Sequence, residues 1–577
     1  MQKIIKILSR TFNMKIMSPF EKILFIFLIF TIFASSYYIL YKLSYKHSVL
    51  VPSKYGVLKE GVIGASRFIN PLLAVSDTDK DLTALVYSGL LKPGKDGVLV
   101  PDLAESYSIS DDKRKYTFKL KKNVYFHDGV QLSADDVVYT IKAAQDPKLN
   151  SPERANWEGI KVEAIDKYTL VFTLPKAYAA FPENVTLGIL PKHIWSNSPT
   201  EDIQYNIHNE HPIGSGPYKL ENIEKREDGT PYKYELSAYE NYHLDGPYIE
   251  NIILHSYANE KDRFIAWQNG EIDSVAAIDA ANTDVYKRED SKINYKYYPR
   301  IFAVFFNPPK NTALGSSKLR QALDLAIDKD ELTEKLMGGS AYKIDSPIPE
   351  PYLSKIKALD EKDGQNKENS NDNLDSKTRI EKINKIMTDM SWKKNDDGYW
   401  EKGDKEFILT LSLVNTNELE EVANFLQDSW KKAGFKVVFK KYNVNKLINE
   451  IIPSRSYEAL LFGEDLGRSL DLYPYWHSSQ RYDPGLNLAN YKNSKLDKLL
   501  EDLRSENDGK KRMELLAKIR NIIINDHPAV FLYSPKFIYI LPQKLKGYEI
   551  NIIDNASERF KDIERWYLKT ERVWVNI

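Results

Sequence analysis

Apolar and polar residues follow three different patterns along this chain. Near the N-terminus, residues 23–41 form an uncharged run rich in Ile, Leu and Phe, bracketed by Lys22 and Lys42. Beyond residue 50, apolar residues alternate with polar ones as in half-buried strands or recur at helical spacing. Residues 359–378 consist mainly of Asp, Glu, Lys, Asn, Ser and Gln. The patterns predict one apolar helix and a folded body that contains a polar insertion or linker.

The uncharged run at residues 23–41 is long enough to cross a bilayer. A helix rises about 1.5 Å per residue and the hydrocarbon core is about 30 Å thick, so roughly 20 apolar residues are needed. A cleavable signal peptide is the alternative, because Ala34-Ser35-Ser36 offers small residues, but cleavable apolar regions usually span about 7–15 residues. Basic residues dominate residues 1–22, which predicts a cytoplasmic N-terminus. We expect an uncleaved anchor with the soluble body on the outer side.

Strands and helices are predicted to alternate through the body. Ser133, with Asp136 three residues later, has the pattern of a capped helix start. Strands are expected at residues 116–120, within 161–174, and at 302–306, 407–414, 436–440 and 529–539, and helices at 318–327, 380–390, 418–433 and 496–524. This alternation predicts an α/β fold.

Length and charge limit the classes of protein to be considered. A chain of 577 residues exceeds what one hydrophobic core supports, since cores stop growing at about 250–300 residues, so two or three domains are expected. Lys and Arg number 81, as do Asp and Glu, so there is no overall positive field to hold nucleic acid. The chain has 0 cysteines, which excludes thiolate chemistry, disulfides and a lipid-bearing N-terminal cysteine.

Sequence motifs for catalysis and cofactor binding are missing. The chain lacks dinucleotide and phosphate loops, G-x-S-x-G and H-E-x-x-H. Asp77, Asp79 and Asp81 alternate like calcium ligands, but the glycine and the final carboxylate of a calcium loop are missing, which favours a helix start. His208 and His211 have metal-ligand spacing, yet nothing nearby completes a site. We predict no catalytic residue, cofactor or metal; a catalytic triad assembled from distant residues is the alternative.

A series of short segments between residues 56 and 547 is the most specific feature of the sequence. In chain order they are YSGLL at 87–91, PDLAESY at 101–107, YTFKLK at 116–121, VYFHDG at 124–129, SADDVVY at 133–139, PKHIW at 191–195, IGSGPY at 213–218, GEID at 270–273 and LRQAL at 319–323. In number and order they resemble the family 5 extracellular solute-binding proteins of ABC importers, which include oligopeptide- and dipeptide-binding proteins.

This resemblance implies a two-lobed periplasmic-binding-protein-like fold, of type II and the large peptide-binding subtype; the apolar run at 23–41 adds one transmembrane helix before it. Hinge strands would join the lobes, and the solute would be buried between them when they close. The expected domains are a cytoplasmic N-terminus at 1–22, the transmembrane anchor at 23–41, a first lobe at 50–305 and 526–577, a second lobe at 306–525, and the polar insertion at 359–378.

The resemblance also implies where a ligand binds. The loop Val75-Ser76-Asp77 matches a loop that meets the peptide in relatives, although Asp77 alternatively only caps the following helix. Residues 462–480 are expected to form the opposite wall. In peptide-binding relatives an aspartate shortly after the glycine of this segment pairs with the peptide's amino terminus, but Gly467 is aligned there. Asp465 or Asp471 would have to take this role with a shifted geometry.

Aromatic and basic residues of the same wall are further candidates. Tyr473, Tyr475, Trp476 and His477 could stack on the ligand or bound it, or they could instead belong to the core of a lobe. Arg481 could pair with a ligand carboxylate in bidentate fashion, or with a surface carboxylate. The predicted ligand contacts are therefore Val75, Asp77, Asp465, Asp471, Tyr473, Trp476, His477 and Arg481.

The sequence thus predicts a receptor that captures oligopeptides between two closing lobes for import. Expected partners are an oligopeptide or another small solute, the permease subunits of an ABC transporter, and the membrane through the N-terminal helix; the chain is expected to be a monomer and not to bind nucleic acid. One alternative is the same fold with a nickel chelate or a sugar as ligand. Another is a membrane-anchored sensor or interaction protein without transport.

Overall fold

The computed structural model describes residues 18–46, 48–278, 283, 285–362 and 374–574. These fall into two compact units, one comprising Met1–Tyr55 with Tyr567–Ile577 and the other Gly56–Trp566. The predicted cytoplasmic segment at 1–22 lies mostly outside the described residues.

Strands and helices alternate along the described residues. The strands are β1 (Ser48–Pro52), β2 (Val57–Ile63), β3 (Leu91–Pro93), β4 (Leu99–Pro101), β5 (Ala104–Ile109), β6 (Lys115–Leu120), β7 (Lys161–Asp166), β8 (Thr169–Thr173), β9 (Tyr218–Lys225), β10 (Pro231–Ala238), β11 (Asn251–Tyr257), β12 (Ser274–Ala276), β13 (Ser291–Tyr297), β14 (Arg300–Phe306), β15 (Ala341–Lys343), β16 (Lys393–Lys394), β17 (Trp400–Lys402), β18 (Lys405–Glu406), β19 (Ile408–Val414), β20 (Lys436–Tyr442), β21 (Ala459–Asp465), β22 (Ala529–Pro542) and β23 (Thr570–Trp574). The helices are α1 (Pro19–Lys46), α2 (Asp77–Val86), α3 (Ala134–Gln145), α4 (Arg154–Trp157), α5 (Phe181–Asn184), α6 (Lys192–Trp195), α7 (Glu260–Gln268), α8 (Ser317–Leu325), α9 (Lys329–Met337), α10 (Glu350–Lys362), α11 (Ser376–Asp389), α12 (Asn417–Lys432), α13 (Val444–Lys446), α14 (Tyr473–Trp476), α15 (Ser494–Ser505) and α16 (Gly509–Asp526). The predicted α/β class is confirmed.

The smaller unit consists of α1 and a two-stranded ribbon. The stretch Lys22–Lys42 of α1 has a mean hydropathy of 2.3 and is long and apolar enough to cross a membrane. One residue after the helix, β1 begins and pairs antiparallel with β23, from Ser48 opposite Trp574 to Pro52 opposite Thr570. The apolar run predicted at residues 23–41 therefore lies within a single helix.

The larger unit is organised around one long strand, β22. The strand order of its main sheet is β20-β19-β21-β14-β22-β12-β2-β11-β10-β9. The first half of β22 pairs with β14, for example Phe531 with Ala303, and its second half pairs with β13, for example Ile540 with Ile293. Between the halves, Pro535 and Lys536 are only half-buried, whereas the rest of the strand is buried. This single strand therefore passes from one body of the unit into the other.

The structure thus has two lobes joined at β22 and at the turn between β13 and β14. We propose boundaries at this crossing, with a first lobe of residues 56–297 and 537–566 and a second lobe of residues 300–534. The first lobe thus ends at 297 where 305 was expected and resumes at 537 where 526 was expected, because strand pairing places β14 and the first half of β22 in the same sheet as β21.

The strands of the second lobe are continuous apolar runs because both faces of their sheet are buried. Side chains of β14 alternate between two cores: Val304 and Phe306 face one core, whereas Ala303 and Phe305 face the other. The first core packs against α8 and α12 and the second against α15 and α16. Helices therefore cover both faces of the sheet, and the β-α-β unit predicted from residue 407 is confirmed by the parallel pairing of β19 with β20.

The predicted long helical stretch at 496–524 is in fact two helices. α15 ends at Ser505, and α16 begins after Asp508, whose carboxylate accepts a hydrogen bond from the backbone N–H of Lys511 at 2.9 Å. The polar residues between the helices offer hydrogen bonds that compete with a continuous helix. Hydrophobic spacing alone did not reveal this break.

The predicted polar insertion at 359–378 overlaps a helix at each end. Residues 359–362 complete α10, and residues 376–378 form the first turn of α11. Residues 363–373 lie outside the described residues.

Candidate functional site

The two lobes meet around a cavity of about 170 Å³. The first lobe lines it with residues of segment 179–183, and the second lobe with Tyr352, segment 468–470 and residues of α16. Sites for drug-sized ligands occupy about 300–1,000 Å³, so a ligand of that size requires the lobes to move apart.

Arg468 connects the lobes at this cavity. Its side chain is 4% exposed, and its Nε donates a hydrogen bond to Oε2 of Glu183 at 2.9 Å. Its Nη2 donates to Glu558 and lies 3.6 Å from Oδ2 of Asp554. Its Nη1 is buried and has no hydrogen-bond partner among the described residues. One guanidinium of the second lobe therefore faces three carboxyl groups of the first.

These carboxyl groups outnumber the cation that they surround, and burial disfavours their charge. Burial raises the pKa of the Glu183 carboxyl to about 7, although Arg468 acts in the opposite direction. Burial and then Glu558 raise the pKa of Asp554 to about 6. The pKa of Arg468 is raised by the carboxylates of Glu558 and Glu183, which outweigh its burial. The cluster can therefore take up protons, or a second cation, at near-neutral pH.

A second set of charges lies where the chain crosses between the lobes. Arg300 donates from Nη2 to Oδ2 of Asp465 at 2.9 Å, and the Tyr475 hydroxyl donates to the Asp465 carbonyl. Burial raises the pKa of Tyr298 to about 12; Arg300 opposes this shift, whereas Asp465 and Asp77 add to it. Asp77 and Asp465, predicted on opposite walls, therefore act on the same phenol.

Gly467 faces the first lobe. A side chain at this position would begin 3.7 Å from Oδ1 of Asp554. The φ angle of Gly467 is +65°, a left-handed conformation that glycine adopts without steric penalty. A carboxylate is thus present beside Gly467, but Asp554 of the other lobe supplies it.

Asp471 lies in a mixed ionic and aromatic contact between the lobes. Nε of Arg504 is 3.1 Å from Oδ2 of Asp471. The Arg504 guanidinium lies 4.5 Å from the ring centroid of Tyr473 and 5.2 Å from that of Tyr178 in the first lobe. The backbone N–H of Ala179 donates to the Arg504 carbonyl at 2.8 Å. The structure therefore brings Asp471 and Tyr473 to the lobe interface.

The remaining candidates of this wall point elsewhere. Trp476 is 1% exposed and packs against Phe305 and Phe531, the core placement that the sequence left as an alternative. His477 is buried and stacks on Tyr473 with ring centroids 4.1 Å apart. Arg481 donates from Nε to the Ser478 carbonyl at 2.9 Å. We propose no ligand contact for Trp476.

The loop of the first wall is exposed. Ser76, not Asp77, is the N-cap of α2, and it forms a capping box with Asp79. Val75 and Asp77 are exposed, and Asp77 lies in the first turn of the helix. The interpretation of Asp77 as the cap is therefore wrong, and its carboxylate remains available to a ligand.

Sequence reasoning missed most of the cluster around Arg468. Arg468 lies inside the predicted wall, but Glu183 is 285 positions away in the sequence and Glu558 is 90 away. No local pattern marks either carboxylate, because each belongs to a short helical turn without a recognisable motif. His208, considered as a metal ligand, has Nδ1 3.1 Å from the His211 carbonyl, and among the described residues no group of metal-ligating side chains is found.

Comparison with known proteins places this geometry in a family. The family model described as bacterial extracellular solute-binding proteins, family 5 middle, matches residues 98–483. The oligopeptide-binding protein AppA of Bacillus subtilis is 29% identical over 541 residues, which cover 91% of this chain and 94% of that protein.

Solved structures agree in fold. The structure of AppA from Bacillus subtilis in complex with a nonapeptide has a TM-score of 0.65 and 27% identity, covering 90% of this chain and 100% of that one. NikZ from Campylobacter jejuni in complex with Ni(L-His) has a TM-score of 0.67 and 26% identity, with coverage of 90% and 100%. With two lobes, a cavity between them and a family match over most of its length, the chain belongs to the family 5 bacterial extracellular solute-binding proteins.

Proposed function

We propose that this protein is an extracytoplasmic receptor that captures oligopeptides between its two lobes and delivers them to the permease subunits of an ABC importer. The observation that carries the proposal is the charged cavity between the lobes, where Arg468 meets carboxyl groups of the opposite lobe. The likeness to AppA over nearly the whole chain supports peptide as the ligand class. The proposal involves no catalytic step.

Charges of both signs at this interface suit a zwitterionic ligand. A peptide carries an ammonium group at one end and a carboxylate at the other, and charged hydrogen bonds to both are strong in a site closed to water. Arg468 retains a buried N–H without a partner among the described residues, which could receive a carboxylate. Asp77 is an exposed carboxylate suited to an ammonium group, whereas the Asp465 carboxylate is exposed but already paired with Arg300.

A metal chelate is the second candidate ligand. NikZ, which is 26% identical in sequence to this chain over the matched structure, is described in complex with Ni(L-His). Such chelates present carboxylates, so the same N–H of Arg468 would suit them.

We further propose that α1 remains attached and anchors the receptor as a single-pass, monomeric membrane protein. The apolar stretch Lys22–Lys42 has the length that a bilayer requires. Mass spectrometry of the protein purified from membranes is expected to recover peptides from residues 1–30. Recovery of a chain that starts near residue 37 would instead identify a cleaved signal peptide.

Thermal unfolding of the body from Ser48 onwards tests the ligand class. A ligand that binds only the folded state stabilises it by RT ln(1 + c/Kd), where c is the free ligand concentration, and so raises the unfolding temperature. We expect a rise with pools of oligopeptides and none with sugars, and native mass spectrometry of the purified body to show retained peptide. A rise with Ni(L-His) but with no peptide pool would favour the chelate.

A further inference from the structure

The ribbon formed by β1 and β23 exposes apolar side chains on both of its faces. Residues directly opposite each other in an antiparallel pair share a face. Leu50 and Trp574, each 60% exposed, lie on one face, and Val49 and Val573, 49% and 44% exposed, lie on the other. A two-stranded ribbon is at best marginally stable in water, so these residues need a cover.

The exposed apolar residues are concentrated at one end of the ribbon. The three pairs nearest α1 are Ser48 with Trp574, Val49 with Val573 and Leu50 with Arg572. The two far pairs join Val51 to Glu571 and Pro52 to Thr570, so they carry a charge and a hydroxyl. The apolar end is therefore the end closest to the apolar helix.

The dimensions of this end match the outer layer of a bilayer. Only one residue separates the end of α1 at Lys46 from Ser48. Three successive pairs extend about 7 Å along the strands. The headgroup layer is about 5–7 Å thick on each side of the hydrocarbon core. A ribbon that leaves α1 at the membrane surface would thus place its apolar pairs within this layer.

Aromatic residues and charge in the same region suit a lipid surface. Tyr37, Tyr38 and Tyr41 are exposed in the last turns of α1, and Trp and Tyr are enriched where membrane proteins cross the interface. The segments 42–55 and 567–574 contain five basic residues and one acidic residue: Lys42, Lys46, Lys54, Lys569 and Arg572 against Glu571. This excess of positive charge favours anionic headgroups.

We propose that the ribbon inserts its helix-proximal end, with Trp574, Val573, Leu50 and Val49, into the phospholipid headgroup layer of the membrane that α1 crosses. This inference rests on the proposed anchoring by α1. Val573 and Trp574 of β23 then also return to the membrane. The receptor is therefore attached to the lipid by a helix and a ribbon together.

Because the chain has no cysteine, single labels can report on each site in the full-length protein. Leu50→Cys and Val573→Cys would each carry an environment-sensitive fluorophore in vesicles of phosphatidylethanolamine and phosphatidylglycerol with a nitroxide quencher on the headgroup. Tyr205→Cys, at a residue 78% exposed in the larger unit, is the control. We expect severalfold stronger quenching at positions 50 and 573 than at 205; equal quenching at the three positions would overturn the proposal.

Two further variants separate this proposal from the anchor itself. A label at Phe30→Cys, read with a quencher on the acyl chains, reports whether α1 spans the bilayer; without quenching there, both proposals are wrong. If position 30 is quenched but positions 50 and 573 are not, only the ribbon proposal is wrong. In the protein labelled at position 573, the additional substitution Leu50→Glu is expected to reduce quenching of the label. Thr570→Glu, at the far end of the ribbon, is expected to leave the quenching unchanged.

Discussion

Glu464 is a buried carboxyl group in the second lobe. It lies on β21 opposite Ile301, whose side chain belongs to the core that packs against α15 and α16. Neither carboxyl oxygen has a hydrogen-bond partner among the described residues, and burial raises the pKa well above its ordinary value. Folding therefore favours the protonated form of this group, whereas the unfolded chain releases the proton more readily.

Glu464→Gln is expected to stabilise the protein at pH 7 and to have little effect near pH 4. A carboxyl whose pKa is raised by folding costs stability as the pH rises above the pKa of the unfolded chain, 4.5 for an ordinary glutamate, because only the unfolded chain then loses its proton. Each pKa unit in this interval corresponds to about 1.4 kcal/mol. Thermal unfolding from pH 4 to pH 8 measures the effect.

The control for Glu464 is Glu227→Gln, at an exposed glutamate of the first lobe. Its unfolding temperature is expected to follow that of the wild type at every pH. Equal pH profiles for Glu464→Gln and the wild type would contradict a neutral Glu464.

Asp471→Ala is expected to weaken ligand binding. Asp471 holds Arg504 between Tyr473 and Tyr178, so its removal loosens one contact that forms only when the lobes close. We expect the Kd for a bound peptide to rise about tenfold, equivalent to about 1.4 kcal/mol. Isothermal titration calorimetry measures this Kd. The matched control is Asp428→Ala, on the exposed face of α12. Unchanged affinity would remove Asp471 from the site.

At the scale of residues, the sequence predicted which segment forms one wall of the ligand site, but not which contacts its side chains make. Arg468, Asp471 and Tyr473 of segment 462–480 contact the opposite lobe or a residue that does, whereas Trp476 of the same segment lies in the core of the second lobe. Which carboxylate meets Arg468 depends on how distant segments pack, and neither Glu183 nor Asp554 carries a local signature of that role.

At the scale of elements, local rules were sufficient where the interaction itself is local. Ser133 and Asp136 form the capping box that their spacing predicts, and β14 is the buried strand expected at residues 302–306. The partners of β22 were beyond such rules, since Ile540 pairs with Ile293 far back along the chain. Helix ends were predicted only in part, since the capped start at Ser133 was expected but the break before α16 was not.

Asp508→Ala tests the cause of that break. Loss of an N-cap side chain typically costs about 1 kcal/mol, so we expect a lower unfolding temperature. Asp502→Ala, at an exposed position inside α15, removes the same group without removing a cap and is expected to be neutral or slightly stabilising. If both variants unfold at the same temperature, Asp508 does not stabilise the start of α16.

At the scale of the whole molecule, closure places Arg468 of the second lobe among carboxyl groups of the first. Opening exposes Glu183 and Asp554 to water, which returns their pKa values toward the ordinary 4.5 and 3.8. At pH values between these ordinary pKa values and about 6 to 7, the closed form therefore binds more protons than the open form. Lower pH thus favours closure of the unliganded protein.

Small-angle X-ray scattering is expected to show a smaller radius of gyration for the unliganded body at pH 5 than at pH 8. One pKa unit corresponds to about 1.4 kcal/mol, so the ratio of closed to open molecules changes at least about tenfold. Glu183→Gln, which removes the group titrating near 7, is expected to flatten the profile above pH 6. A radius independent of pH in the wild type would contradict the argument.

The position of β22 also sets the order in which the chain can fold. Both half-sheets need this strand as an interior member, yet at residues 529–542 it follows all their other strands in the sequence. Synthesis proceeds from the N-terminus, so neither half-sheet can be completed until all the other strands of both have been made. A chain that must be threaded across a membrane before it folds benefits from this delay, because the strand that joins both lobes is the last strand of the sheet to emerge.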